Sequence, residues 1–166
     1  MAISVNLNKA IPASFNLAFP LLPTEVTLDG TKELVLNIFG TILPGLTLDN
    51  VEGPWQGGRI QLQVGKITFD PWTVNFVVDS ELKNWQTLNR WMFYINNNKD
   101  KFGEFPNNMS VDASLSIIDN FGGKVLSITF KNVWIQQLGE LSFSMRDGEA
   151  NLESSATFQY DRYEIA

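Results

Sequence analysis

Along most of the chain, apolar and polar residues alternate with a period of two, the spacing of a half-buried β-strand. "RIQLQV" puts Ile60, Leu62 and Val64 on one face and Arg59, Gln61 and Gln63 on the other. "WTVNFVVD" groups Trp72, Val74, Phe76 and Val78, and "SVDASLSII" groups Val111, Ala113, Leu115 and Ile117. "TEVTL" and "KELVLNIF" predict a first strand pair turned by Asp29-Gly30. Gly65 interrupts one run and predicts a β-bulge before "KITF". "NFGG" turns the chain into "KVLSITFKNVWI", and Asp147-Gly148 predicts a hairpin between "GELSFSM" and "NLESSATFQYDRYEI". In that hairpin Glu153, Ser155, Thr157, Gln159 and Asp161 face away from Leu152, Ala156, Phe158 and Tyr160. Glu140, Ser142 and Ser144 continue the same polar face on the other strand.

The period changes once. Asp79 and Ser80 can each cap a helix, because a side-chain oxygen can accept from a free N–H two or three residues on. Leu82, Trp85, Leu88, Met92 and Ile95 then recur at helical spacing, predicting a helix over about residues 80–98 that stops in Asn96-Asn97-Asn98. Trp91 falls slightly off that stripe. Pro12, Pro20 and Pro23 make residues 1–23 an extended arm. Its apolar stretch "IPASFNLAFPLLP" needs cover from its own core or from a neighbour. "GTILPGLTLDNVEGPWQGG" reads as a glycine- and proline-rich crossing. No linker, repeat or low-complexity tract divides the chain, so residues 1–166 are expected to form one domain. Its expected class is mainly β: an antiparallel barrel or two packed sheets with one main flanking helix.

Composition narrows the chemistry. Charged residues make up 18% of the chain, below the roughly 25% usual for soluble domains. Such a surface desolvates cheaply, which suits burial against copies of itself; a charge-poor soluble monomer is the alternative. A net charge of −6 argues against ordinary nucleic-acid binding but suits a wall that nucleic acid must pass without sticking. The absence of Cys and His removes thiol nucleophiles, histidine bases and the common zinc sets. No apolar run reaches the roughly 20 residues of a membrane span, and "MAISVNLNKAIPASF" lacks a signal-peptide core. Nothing marks one carboxylate pair among the 18 Asp and Glu residues as glycoside-hydrolysing. The tryptophans, Trp55 in "EGPWQGG" above all, leave open a sugar-binding β-sandwich; the alternative is that Trp55 fills an apolar or interface pocket.

Three stretches carry a family resemblance over roughly residues 41–166. They are "ILPGLTLDNVEGPWQGGRI", "GKITFDPWTVNFVVD" followed by the "NWQ" helix, and "ITFKNVWIQQLGELSFS" with the aromatic-acidic end of the chain. In that order they resemble the tail tube proteins of contractile-tailed bacteriophages, and more distantly the tubes of other contractile injection systems. The resemblance implies hexameric rings stacked into a tube, with strands of six subunits joined around a lumen. DNA would cross that lumen during ejection, inside a contractile sheath. Implied partners are further copies of the chain, the tail sheath protein, and the baseplate initiator and neck or terminator proteins. No catalytic residue, cofactor, metal or membrane insertion is expected. The expected place is the virion, after assembly in the host bacterial cytoplasm. On this reading Glu140, Ser142, Ser144, Glu153, Ser155, Thr157, Gln159 and Asp161 face the lumen, with Arg59, Gln61 and Gln63 as weaker candidates. Phe15, Phe19, Leu21, Asp49, Trp55 and Trp91 are the candidates for contact between subunits. A tube initiator or terminator, or the tube of a secretion or injection system, fits the same motifs.

Overall fold

The computed structural model describes residues 15–23, 25, 26, 28, 34–62, 65–98, 109–118, 124–144 and 151–166. In chain order the elements are β1 (Phe15–Phe19), β2 (Leu34–Val35), β3 (Asn37–Thr41), β4 (Leu46–Leu48), β5 (Val51–Trp55), β6 (Gly58–Leu62), β7 (Ile67–Phe69) and β8 (Trp72–Val77). They continue with α1 (Lys83–Asn97), β9 (Val111–Ile118), β10 (Lys124–Leu138), β11 (Glu153–Gln159) and β12 (Arg162–Ile165). The mainly-β, antiparallel class with a flanking helix agrees with the sequence pattern.

The body is an 8-stranded sheet in the order β2-β1-β9-β10-β11-β8-β3, with β12 also on β10. It folds in two along β10, whose first half pairs β9 and β12 and whose second half pairs β11. The fold line is a register shift between Phe130 and Val133, where Asn132 takes φ 55°. Asn tolerates this left-handed conformation better than most residues. Here Asp112 and Asp161 stabilise it: Asn132 N–H donates to Asp112 Oδ1 (3.2 Å) and Nδ2 donates to Asp161 Oδ2 (2.5 Å).

The two halves close on an aromatic core. Trp72 of β8 stacks on Phe130 of β10 with centroids 4.1 Å apart and planes 9° from parallel. Phe19, Trp91 and Phe158 surround the pair, and all five rings are fully buried. Burying rings of this size stabilises by several kcal/mol, since Phe or Trp to Ala costs about 3–5 kcal/mol. Their polar atoms are matched: Trp72 Nε1 donates to Thr41 Oγ1 (2.8 Å) and Trp91 Nε1 to the Met109 carbonyl (2.9 Å).

Four expectations change. Phe15–Phe19 is not part of an extended arm: β1 pairs β9 on one side and β2 on the other, burying Leu17 and Phe19. Leu34–Val35 pairs β1 rather than "TEVTL", whose residues 25, 26 and 28 are not strand; the turn at 29–30 lies outside the described residues. The "GELSFSM" strand is absent over residues 139–144, and β11 lies instead between β10 and β8. The helix begins at Lys83 rather than at Asp79 or Ser80. Leu82 N–H closes a turn on the Asp79 carbonyl (2.8 Å), and Leu82 itself takes φ 58°. Buried Asn84 replaces the expected cap: its Oδ1 accepts from Trp85 N–H (2.8 Å) and its Nδ2 donates to the Val77 carbonyl (2.9 Å). The helix end agrees, with Asn98 Nδ2 on the Tyr94 carbonyl (2.8 Å). Residues 1–14 and 119–123 lie outside the described residues.

The glycine- and proline-rich crossing forms a two-stranded ribbon. Leu46–Leu48 pairs Ile67–Phe69, and Val51–Trp55 pairs Gly58–Leu62 across a turn at Gln56-Gly57, both at positive φ. Between the two ladders sits the predicted irregularity. A Cβ on Gly65 would lie 1.4 Å from the Asp49 carbonyl oxygen, so the close approach requires glycine. Phe69 anchors the ribbon's base against Tyr160 and Tyr163.

Two tests follow from this packing. Burial, then Tyr163 and Asp70, raise the Tyr160 phenol to about 12, and its O–H donates to the Asp70 carbonyl (3.0 Å). A group with a raised folded pKa contributes stability that is complete below the unfolded value near 10 and lost as pH rises toward 12. Chemical denaturation should therefore show a loss of about 2–3 kcal/mol over that window that Tyr160→Phe lacks, while Tyr160→Phe costs about 1 kcal/mol at neutral pH. At Gly139 an added Cβ would meet Ser155 Oγ at 2.7 Å and the Ser155 carbonyl oxygen at 2.9 Å. Gly139→Ala should lower stability by about 1–3 kcal/mol, read as a lower Tm with unchanged far-UV CD.

Candidate assembly surfaces

The second half of the sheet presents a largely polar outer face because β8 and β11 alternate strictly against the core. Ser154, Ala156 and Phe158 of β11 point inward, so Glu153, Ser155, Thr157 and Gln159 point out, as the alternation predicts. The register sets them beside Asn75 and Thr73 of β8 on one side and Gln137 and Trp134 of β10 on the other. Hydroxyls and amides bond across the strands: Thr73 Oγ1 and Thr157 Oγ1 are 3.3 Å apart, and Gln159 Nε2 donates to Gln136 Oε1 (3.0 Å). Thr73, Asn75, Gln136 and Gln137 were missed from sequence. The alternation that buries Trp72 and Val74 was the available signal; what concealed them was pairing β11 with the wrong strand.

The remaining lumen candidates scatter. Glu140 joins Glu153, Asn75, Gln137, Ser155 and Phe39 around a cleft of about 480 Å³ at one end of the face. Ser142 and Ser144 are exposed, but on a segment with no strand to hold them in the row. Asp161 sits in the turn to β12, engaged by Asn132. Arg59 and Gln61 belong to the ribbon rather than to the body, with Arg59 paired to Glu52 at 3.1 Å. Gln63 lies outside the described residues.

The first half of the sheet has a different outer face. Asp112, Ser114, Ser116, Thr129, Lys131, Arg162 and Glu164 alternate against its core. Its charges are matched in pairs, Lys131–Asp112 at 2.6 Å and Arg162–Glu164 at 3.0 Å. Asp112 keeps the Lys131 ammonium protonated above its usual range. The β11 face, by contrast, carries Glu153 and no cation among its named residues. Among the described residues no three carboxylates converge as a metal site would need.

The subunit-contact candidates divide by burial. Phe19 and Trp91 were expected at a neighbour, yet both rings are fully buried within this chain. Trp91 lies off the predicted stripe because the helix buries Asn84, Thr87, Leu88 and Trp91, a face rotated from the one read from sequence. Phe15 is partly buried against the core. Leu21 is 66% exposed, and Asp49 is exposed at the ribbon's irregularity. Trp55 ends β5, and its side chain lies outside what is described. The ribbon itself exposes Leu46, Leu48, Val51, Ile60 and Ile67. A second apolar surface runs along α1, a groove of about 480 Å³ lined by Trp85, Asn89, Met92, Phe93, Asn96 and Leu138.

Comparison with known proteins gives these surfaces a context. Residues 10–166 match the family model described as phage tail tube protein. The tail tube terminator protein of Enterobacteria phage T4 is 29% identical over 169 residues, covering 99% of this chain and 93% of that protein. Two solved structures share the fold. One is the sheath/tube terminator of an extracellular contractile injection system, at TM-score 0.68 and 14% identity over 96% of this chain and 99% of that one. The other is the tube-terminating cap of the anti-feeding prophage, at TM-score 0.65 and 16% identity over 100% of this chain and 99% of that one.

Proposed function

This chain belongs to the phage tail tube protein family, and we propose that within it the chain is a tube-terminating subunit, forming the ring that ends the inner tube of a contractile tail. The observation that carries the reading is the likeness to a protein named tail tube terminator, which spans 99% of this chain and 93% of that protein. The role is structural, and its place is the virion, after assembly in the host cytoplasm. Partners on this reading are further copies in a hexameric ring, the tube below and the sheath around it. A repeating subunit of the main tube is the second reading, since repeating and terminating subunits use the same fold.

The β11 face is the proposed lumen wall. Its hydroxyls and amides bond to one another, and Glu153 is the charge among them. Phosphate meets no cation there, so passing DNA finds no foothold. The ribbon's exposed apolar row and Leu21 are the proposed contacts between subunits or rings. A two-stranded ribbon is marginal alone and gains stability when a neighbour covers it.

In negative-stain electron microscopy the purified protein should form rings or short stacks, and should shorten tubes when added to polymerising tube protein of the same phage. Long tubes built by this chain alone would return it to the main-tube role. Rings carrying Ser155→Lys and Thr157→Lys should keep their fold at a cost of about 1–2 kcal/mol, because both sites face outward but are half-buried and Thr157 gives up its contact with Thr73. They should retard DNA at about 50 mM salt and release it near 200 mM, while wild-type rings do not retard it at either salt. Equal retardation by wild type would remove the β11 face from the lumen.

A further inference from the structure

We propose that the groove along α1 seats the β-ribbon of a second copy of this chain, with Asp49 of the ribbon set against Arg90 of the helix. The inference rests on the reading of the chain as a self-assembling subunit and adds where the ribbon goes. Strands β4 to β7 pair only with one another, so the ribbon stands off the body beyond its base. Leu48 is 58% exposed and Ile67 51%, side by side in the register, so one face of the ribbon is apolar and uncovered. The ribbon does not fill its own chain's groove, because both surfaces are open in the same molecule.

The groove matches this face in chemistry. It is lined by Trp85, Met92, Phe93 and Leu138 together with Asn89 and Asn96. Phe93 is 59% exposed, a large apolar side chain with no cover. A polar residue such as Asn89 in an apolar lining suits a ribbon edge, which brings unpaired N–H and C=O groups along with its side chains.

Charge complements shape. The chain carries a net charge of −6, yet helix residues 83–97 include Lys83 and Arg90 and no carboxylate. Lys83 is engaged by Glu81. Arg90 is exposed and forms no ion pair among the described residues. The same holds for Asp49, which Gly65 holds at the ribbon's irregularity next to Leu48. A contact between different patches on identical chains repeats head to tail, closing into a ring or continuing as a stack according to the rotation.

The chain has no cysteine, so introduced thiols report without background. Full-length protein carrying Leu48→Cys and Phe93→Cys, assembled and treated with a short bismaleimide, should give a ladder of multimers on denaturing gels. Leu48→Cys with Ile165→Cys should give none, Ile165 being an equally exposed position outside the groove. Asp49→Lys and Arg90→Glu alone should each raise the concentration needed for assembly about fivefold, and together restore it. Assembled particles that lack the Leu48–Phe93 link would overturn the proposal and leave the tube-family role standing, with another protein or another face covering the groove. A chain that stays monomeric at high concentration would overturn both.

Discussion

The stacking of Trp72 on Phe130 is the contact on which the rest of the molecule depends. It joins β8 to β10 across the fold line, 4.1 Å between centroids, and so holds the two halves of one sheet face to face. A sheet folded on itself fills its inner side with apolar residues, Ser154 excepted, and leaves the polar positions of β8 and β11 facing out. The outer faces therefore exist as surfaces because the inner ones are filled by rings. Asn132, at positive φ and held by Asp112 and Asp161, lets a single strand serve both halves. Without that corner β10 would run straight, and β11 and β12 would not lie on its two halves.

A subunit of a tube must be stable enough to fold and incomplete enough to assemble. This chain separates the two demands in space. The body buries Trp72, Phe130, Phe19, Trp91 and Phe158 completely and leaves no buried side-chain polar atom unmatched among the described residues. The ribbon and the helix groove do the reverse, exposing Leu46, Leu48, Val51, Ile67 and Phe93 to solvent. Exposed apolar side chains grouped in this way support the ribbon and the groove as the proposed contact surfaces. The low charged fraction fits the same division, since few charges have to be desolvated when such surfaces meet.

Much of the architecture was legible in the residues. The alternations in "WTVNFVVD" and "SVDASLSII" identified β8 and β9 with the correct buried faces, and the interruption at Gly65 was placed correctly. The errors have a common cause: alternation states which face a residue takes, not which strand lies beside it. "GELSFSM" looked like the partner of β11 because Asp147-Gly148 promised a hairpin, yet the ladder was won by β10 and β8. β1 was read as an arm because prolines flank it, although none interrupts Phe15–Phe19 itself. The helix stripe was off by part of a turn, which is why Trp91 was assigned to a neighbour while Phe19 and Phe158 pack on it.

The sequence by itself determined the class of structure, the outward-facing row of Glu153, Ser155, Thr157 and Gln159, and the absence of cysteine and histidine chemistry, because these depend on local period and on composition. Tertiary structure alone decided what stands beside that row, that Phe19 and Trp91 belong to the core, and that the ribbon and the helix groove stay uncovered. Pairing and burial depend on contacts between residues far apart in the chain, such as Thr73 with Thr157, and local sequence does not encode which of several compatible strands arrives.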